Sequence, residues 1–288
     1  MATVVAPVPG RNRWLALTPY LILALATIPI LVLYVWLFYS SFFPRIEGFR
    51  PIGDFTFDNW RFLWDSASVP QMRNRPPVIP LTVNTFLFAT LTSLVSLLVS
   101  SMAGYAFSRL RFKGRRVFLG GVLLLHSFPS VTLLIALFVV LRTLGLYDKL
   151  LGVILVQTAF ALPFGIWIMK GFFDNIPWDL EMSALVDGAG RLRTWWRIML
   201  PLVKPGLLAL GILLFVEGWN QFLLPFVFMP SGSQQTLSTL VRGILGEGRF
   251  VDYGLLTAVG LYYIAPVLIL FVLAQDQLMR IYAGGVKG

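Results

Sequence analysis

Three polar side chains stand close together inside an apolar stretch that runs from residue 206 to residue 229. They are Glu217, Asn220 and Gln221. A carboxylate or amide in such a stretch loses hydration, so it must find a hydrogen-bond partner, take up a proton or face a wet cavity. The same groups can replace water on the hydroxyl groups of a solute. The pattern predicts that all three line a solute pathway; the alternative is that Glu217 only bonds a neighbouring helix or a partner subunit.

The residue types that support catalysis or metal binding are scarce in this chain. It has no cysteine and a single histidine, His126, so neither a thiol site nor a metal site with several histidine ligands can be built, and no Ser/His/Asp set is recognisable. No Gly-Lys dipeptide occurs, which excludes the phosphate-binding loop of an ATPase. We therefore predict no catalytic residue, no metal site and no cofactor bound by this chain. His126 is expected to be a packed or interface residue.

One long polar segment, on the basic side of an otherwise apolar protein, covers residues 174–204. Pro177 suits the first position of a helix, where its missing N–H costs nothing. Glu181 adds negative charge to the first turn, where the helix dipole favours it. Gly188 and Gly190 can supply the left-handed geometry that ends a helix. The segment therefore predicts a short helix, a glycine break and a second helix that runs up to a proline.

The spacing within this segment resembles a loop found in bacterial ATP-binding-cassette (ABC) importer permeases. In that loop a Glu-Ala-Ala triplet is followed after three residues by glycine, and after nine more by Ile-x-Leu-Pro. Gly188 fits the glycine, and Ile198, Leu200 and Pro201 fit the second part. The residues around Gly188 also match the Asp-Gly-Ala form that is common in sugar permeases. The chain thus resembles the carbohydrate-uptake permeases of the MalG type.

The start of the loop departs from the family pattern. Met182 occupies the position of the motif's glutamate, and Ser183 and Ala184 follow it. Glu181 lies one residue early, which leaves open whether a carboxylate contact made in the family is displaced here or lost. The final six residues, Ala-Gly-Gly-Val-Lys-Gly, are also similar to the tail of MalG-type permeases.

The resemblance implies a role for each of these segments. The loop would contact an ATPase through Glu181, Met182, Ser183, Ala184, Asp187, Gly188, Ala189, Ile198, Leu200 and Pro201. The tail would contact the ATPase pair through Gly284, Gly285 and Lys287. The implied partners are a second, MalF-like permease subunit, two ATPase subunits that bind ATP and Mg²⁺, and an extracytoplasmic sugar-binding protein. The implied mechanism is alternating access that imports a sugar or oligosaccharide.

The composition indicates an integral membrane protein. Hydrophobic residues make up 57% of the chain and charged residues 12%, about half the charged share of an ordinary soluble domain. We predict an all-α integral membrane protein with six transmembrane helices in a permease domain of residues 14–280, with the cytoplasmic coupling loop at 174–204. The predicted spans cover residues 14–43, 84–107, 117–141, 150–170, 206–229 and 253–275.

The basic residues predict the orientation of these spans. If both chain ends and the loops at 108–116 and 170–205 are inside, 14 of the 23 basic residues lie on the inner side, as the positive-inside rule requires. We therefore predict a multi-pass protein of the bacterial cytoplasmic membrane, with cytoplasmic tails at 1–13 and 281–288. Because the basic residues flank apolar runs, they indicate contact with membrane lipid and not with nucleic acid.

Two other classes of function compete with the ABC permease. An ion-coupled secondary transporter is expected to show internal repeats and several intramembrane charged groups, whereas this sequence shows one such carboxylate and no clear repeat. A structural or enzyme-anchoring membrane protein would leave the spaced Gly-x₉-Ile-x-Leu-Pro pattern unexplained. In each case the chain itself is expected not to be an enzyme.

Overall fold

The computed structural model describes residues 13–73, 75–231, 234–246 and 251–284. These residues are mostly helical and form two compact units. The helices are α1 (Arg13–Ser40), α2 (Val78–Arg109), α3 (Arg115–His126), α4 (Leu134–Thr143), α5 (Leu150–Asp174), α6 (Trp178–Val186), α7 (Arg191–Thr194), α8 (Leu200–Leu202), α9 (Lys204–Asn220), α10 (Leu223–Phe228), α11 (Leu237–Gly246) and α12 (Tyr253–Gly284). Two short strands are β1 (Arg45–Glu47) and β2 (Arg50–Ile52).

The smaller unit comprises the described part of residues 1–60 together with residues 252–261. Its strands form an antiparallel hairpin that pairs Arg45 with Ile52 and turns at Gly48, whose φ is +63°. Trp36 on α1 packs its ring against Phe49 and donates its indole N–H to the Phe49 carbonyl at 2.9 Å. The all-α prediction did not include this hairpin, because a three-residue strand is too short to give an alternating pattern.

The larger unit comprises residues 61–251 together with the described part of residues 262–288. Its core is built around α2, which packs along α5 and α9. A Cβ added to Gly104 on α2 would lie 2.8 Å from the backbone nitrogen of Lys170 on α5. Ser93 donates its hydroxyl to the Gly211 carbonyl of α9 at 2.9 Å. Small residues thus let the helix backbones approach closely, as is common in membrane bundles.

Two of the predicted spans are not continuous helices. The span predicted at 117–141 consists of α3 and a second helical segment, Ser130–Thr143, which are bent by 92° relative to each other at a break that contains Pro129. The span predicted at 206–229 ends as a helix at Asn220, because Gln221 is extended with φ −67° and ψ +115°. Proline breaks the first of these helices, and an extended amide residue breaks the second.

Four described helices are long and apolar enough to cross a membrane: Thr18–Ser40, Val78–Arg109, Leu150–Asp174 and Tyr253–Gln275. A second bent pair joins Arg191–Leu202 to α9 at 82°. Counting each bent pair as one span raises the number to as many as six. The six-span arrangement therefore stays a prediction.

Candidate functional site

The polar segment between α5 and α9 folds around one left-handed glycine. Helix α6 begins after Pro177, which is its N-cap and not its first helical residue. Gly188 has φ +84°, and the Ala189 N–H returns to the Ala184 carbonyl at 3.0 Å. Gly190 is extended, with φ −68° and ψ +153°. The glycine break is therefore confirmed, and of the two glycines only Gly188 supplies the left-handed geometry.

Glu181 points into the protein from the first turn of α6, and its side chain is 1% exposed. The Tyr105 hydroxyl donates to Glu181 Oε1 at 2.6 Å. Arg109 Nε lies 3.3 Å from Glu181 Oε2, which is a charge contact without the alignment of a hydrogen bond. Both partners lie on α2, so the carboxylate ties α6 to the end of that helix. A buried carboxylate is stable only when it is paired and hydrogen-bonded in this way.

Arg109 joins three elements at this point. Its Nη2 donates to the carbonyls of Phe173 and Ile176, at 2.7 Å and 2.6 Å, just where α5 ends. Its guanidinium lies 4.9 Å from the ring centroid of Trp178, the first residue of α6. Sequence reasoning treated Arg109 as part of a basic topology signal and missed its pairing with Glu181. The position of Glu181 could have indicated this pairing, because its carboxylate lies one residue away from the motif's glutamate and a charge there needs a partner.

The opposite side of α6 carries exposed apolar side chains. Met182 is 40% exposed and Val186 is 86% exposed. Of the remaining motif residues on this segment, Ala184 is buried and Asp187 is exposed, while Ser183 bonds the Asp179 carbonyl within the helix. An exposed apolar patch on a polar segment is typical of a surface that binds another protein. Met182 therefore faces away from the protein, whereas Glu181 faces into it.

Helices α7 and α8, which follow Gly188, are held in place by residues that do not belong to the family motif. Trp195 and Met199 are buried in a core that also contains Phe173. Ile198 and Leu200 are only half-buried, and Pro201 is exposed. Between α7 and α8, residues Trp195–Met199 form a π-helical turn. Such turns widen a helix locally and often occur at functional sites.

A second candidate site is a cavity of about 560 Å³ beside Glu217. Glu217 from α9 and Gln221, both predicted to line a solute pathway, line this cavity. Gln157 on α5, which sequence reasoning missed, donates to Glu217 Oε1 at 2.9 Å and accepts from Gln221 Nε2 at 2.7 Å. The rest of the lining comes from Leu125, His126, Phe128, Ser130, Leu133, Ala159, Phe160 and Pro163.

Asn220 lies apart from this cavity lining. The single hydrogen of the Tyr263 hydroxyl is shared between Asn220 Oδ1 at 3.1 Å and the Trp219 carbonyl oxygen at 2.9 Å. Trp219 is buried and returns its indole N–H to the Tyr263 carbonyl at 3.1 Å. Asn220 is therefore directed to α12 and does not line the cavity with Glu217, and its place on a solute pathway stays a prediction.

The remaining predicted sites lie at the chain end or concern metals. Gly284 is the last residue of α12, while Gly285 and Lys287 lie outside the described residues. His126 stacks on Phe164, with ring centroids 6.0 Å apart, and also borders the cavity. Within the described part of the chain, no group of three or more His, Cys, Asp or Glu residues is placed to hold a metal ion.

Comparison with known proteins identifies the family. Residues 96–278 match the model of the family described as binding-protein-dependent transport system inner membrane component. The permease SmoH of the sulfoquinovosyl glycerol transport system of Agrobacterium fabrum is 34% identical over 77% of this chain and 78% of its own. The trehalose transport system permease SugB of Mycobacterium tuberculosis is 29% identical over 96% and 98% of the two chains.

The fold is also that of a solved transporter. A crystal structure of a bacterial ABC transporter involved in the import of the acidic polysaccharide alginate matches with a TM-score of 0.77. The match covers 94% of this chain and 99% of the other, at 23% identity. The trehalose/maltose permease MalG of Thermococcus litoralis is 32% identical over 71% and 74% of the two chains. The resemblance read from the loop spacing is confirmed, and this chain belongs to the family of binding-protein-dependent transport system inner membrane components.

Proposed function

We propose that this chain is a transmembrane permease subunit of an ABC importer for a sugar or oligosaccharide. The family match over residues 96–278 carries the proposal. The saccharide class is supported by the names of the relatives, which transport trehalose, trehalose or maltose, and sulfoquinovosyl glycerol. An ion-coupled transporter is not favoured, because the family depends on a binding protein.

The energy for transport comes from other subunits in this proposal. The chain has no Gly-Lys dipeptide and hence no phosphate-binding loop. Two separate ATPase subunits bind ATP and Mg²⁺, a MalF-like permease completes the pathway, and an extracytoplasmic protein delivers the sugar. Both tails and the loop at 174–204 lie on the cytoplasmic side, where the basic residues concentrate.

Coupling runs through α6 in this arrangement. The outward face, with Met182 and Val186, offers apolar surface to the ATPase. Glu181 is a positioning residue on the inward face, since it fixes α6 to α2 through Tyr105 and Arg109. Movement of the ATPase pair is then transmitted to the spans as a rigid-body motion, and the cavity beside Glu217 forms part of the solute path.

The test is purification of the tagged chain with its native partners, followed by transport. We expect native mass spectrometry to find a second permease and two ATPase copies, and we expect the chain alone to hydrolyse no ATP. In vesicles loaded with ATP, saccharide uptake should continue when a protonophore and a sodium ionophore collapse the proton and sodium gradients. Uptake that stops with either agent and needs no ATP would favour the secondary transporter instead.

A further inference from the structure

The hydrogen bonds at the cavity beside Glu217 form a chain, and the groups at its two ends fix the direction from donor to acceptor. The Leu223 backbone N–H donates to Gln221 Oε1 at 3.1 Å. Gln221 Nε2 donates to Gln157 Oε1 at 2.7 Å, and Gln157 Nε2 donates to Glu217 Oε1 at 2.9 Å. A backbone N–H only donates and a carboxylate only accepts, so each amide has a single orientation that satisfies both neighbours.

This chain of bonds leaves acceptor capacity on Glu217. A carboxylate has about four lone-pair sites, and the bond from Gln157 occupies one of them. Among the described residues, Glu217 Oε2 makes no hydrogen bond or ion pair, and the side chain is exposed at the cavity. A ligand that enters therefore meets a fixed acceptor and must supply the donor.

The other residues that line the cavity do not offset the negative charge of Glu217. They comprise apolar side chains, Ser130, His126 and the two glutamines, with no lysine or arginine among these described lining residues. Apolar walls lower the local dielectric and strengthen a charge interaction. The ring faces of Phe128 and Phe160 can lie against the apolar faces of a sugar ring. The volume of about 560 Å³ is within the range of small-molecule sites.

We propose that this cavity selects neutral or amino-bearing saccharides and discriminates against saccharides that carry a carboxylate or sulfonate. The proposal rests on the proposed saccharide function and adds the charge class of the substrate. Hydroxyl and ammonium groups donate to Glu217, whereas an anionic group brings like charge to its carboxylate between apolar walls. Gln157 is a positioning residue here, because it holds the carboxylate in place.

The test uses the purified native complex in lipid nanodiscs, without the soluble binding protein, which would apply its own selection. Saturation-transfer NMR measures the binding of three disaccharides of one size: trehalose, its 6-amino analogue and its 6-carboxylate analogue. We expect the parent complex to bind the first two and to disfavour the carboxylate by about tenfold or more. Glu217→Gln keeps an acceptor for Gln157 and removes the charge, so it should make trehalose and the carboxylate nearly equal.

A matched control makes the same chemical change elsewhere. Glu47→Gln on the exposed end of β1 should leave the preference of the complex unchanged. Equal binding of the carboxylate and trehalose by the parent complex would overturn the inference while leaving the proposed function intact. A lack of binding by all three saccharides would also overturn it. ATP-driven saccharide uptake by the same complex, measured separately, then decides whether the proposed function fails too.

Discussion

At the scale of single residues, one position along a helix decides what a carboxylate can do. Successive residues on an α-helix differ by about 100° in direction. Glu181 therefore faces α2, while Met182, at the position of the family's glutamate, is 40% exposed on the outer side. Within this chain the carboxylate of Glu181 bonds to α2, and the outer position offers an apolar side chain.

Replacement of Glu181 by glutamine should weaken the attachment of α6. The amide can still accept from Tyr105, but Arg109, whose side chain is 1% exposed, then loses its only ion pair among the described residues. Breaking a buried pair in this way costs about 3–5 kcal/mol. We expect lower thermal stability of the complex and more ATP hydrolysed per saccharide imported, which purified complexes in proteoliposomes would reveal.

The control is Asp179→Asn, two residues earlier on the exposed side of the same helix turn. It makes the same change of carboxylate to amide and should leave both quantities near the parent values. If the two variants behave alike, the buried contact does not position α6. A Glu181→Gln complex with normal stability and a normal ratio of ATP hydrolysed to saccharide imported would also show that the buried contact does not position α6.

At the scale of elements, sequence patterns predicted helices well and their long-range partners poorly. The Gly188 break followed from local residue types, because glycine alone adopts positive φ at little cost. The polar chain through Gln157 links residues 60 and 64 positions apart, which no local pattern encodes. The sharp break at Pro129 divides a stretch that was predicted as one span, 117–141, and the hairpin at 45–52 was not expected. Short irregular elements depend on tertiary contacts more than on periodicity.

Replacement of Gly188 by valine tests the role of the left-handed turn. A β-branched residue at φ +84° costs about 1–2 kcal/mol or more, since its Cβ crowds the following carbonyl. We expect the spans to insert and the complex to assemble, with α6 presented at a wrong angle and saccharide-stimulated ATPase activity reduced. The measurement is that activity, normalised to the amount of assembled complex.

Gly190→Val is a closely matched control for this change. An added Cβ meets no atom within 4 Å at either glycine, so the two sites differ mainly in φ. Gly190 is already extended, a conformation that valine favours. The control should therefore retain stimulated ATPase activity. An equal loss in both variants would contradict the importance of the left-handed geometry.

The close contact between α2 and α5 gives a separate prediction about packing. In a Gly104→Val variant the new Cβ would lie 2.8 Å from the Lys170 nitrogen and 2.8 Å from Met169 Cβ. Overpacking of this kind costs about 1–3 kcal/mol. We expect a lower yield and a lower melting temperature of the complex in detergent. Gly171→Val on α5 faces open space and should be tolerated.

At the scale of the whole molecule, the distribution of charge has two parts with different roles. Arg109 is buried against a carboxylate and belongs to the packing of α6. An open pocket with a volume of about 830 Å³ is instead lined by the neighbouring Arg111, Lys113, Arg115 and Arg116. These four residues are available to anionic headgroups, which attract basic clusters beside a membrane span. The predicted orientation counts all five basic residues of this run, whereas only these four are placed to meet lipid.

The predicted orientation can be tested by labelling, because the chain has no cysteine to interfere. Ser68 lies in the segment assigned to the outside and Lys113 in the segment assigned to the inside, and both side chains are exposed. In whole cells, a membrane-impermeant maleimide should label a Ser68→Cys variant, and a Lys113→Cys variant should react only after the cells are broken. The opposite pattern would reverse the orientation and place α6 on the wrong side for a cytoplasmic ATPase. Labelling of both variants in intact cells would place residues 68 and 113 on the same side of the membrane. That result would contradict the six-span arrangement, in which the span at 84–107 separates them.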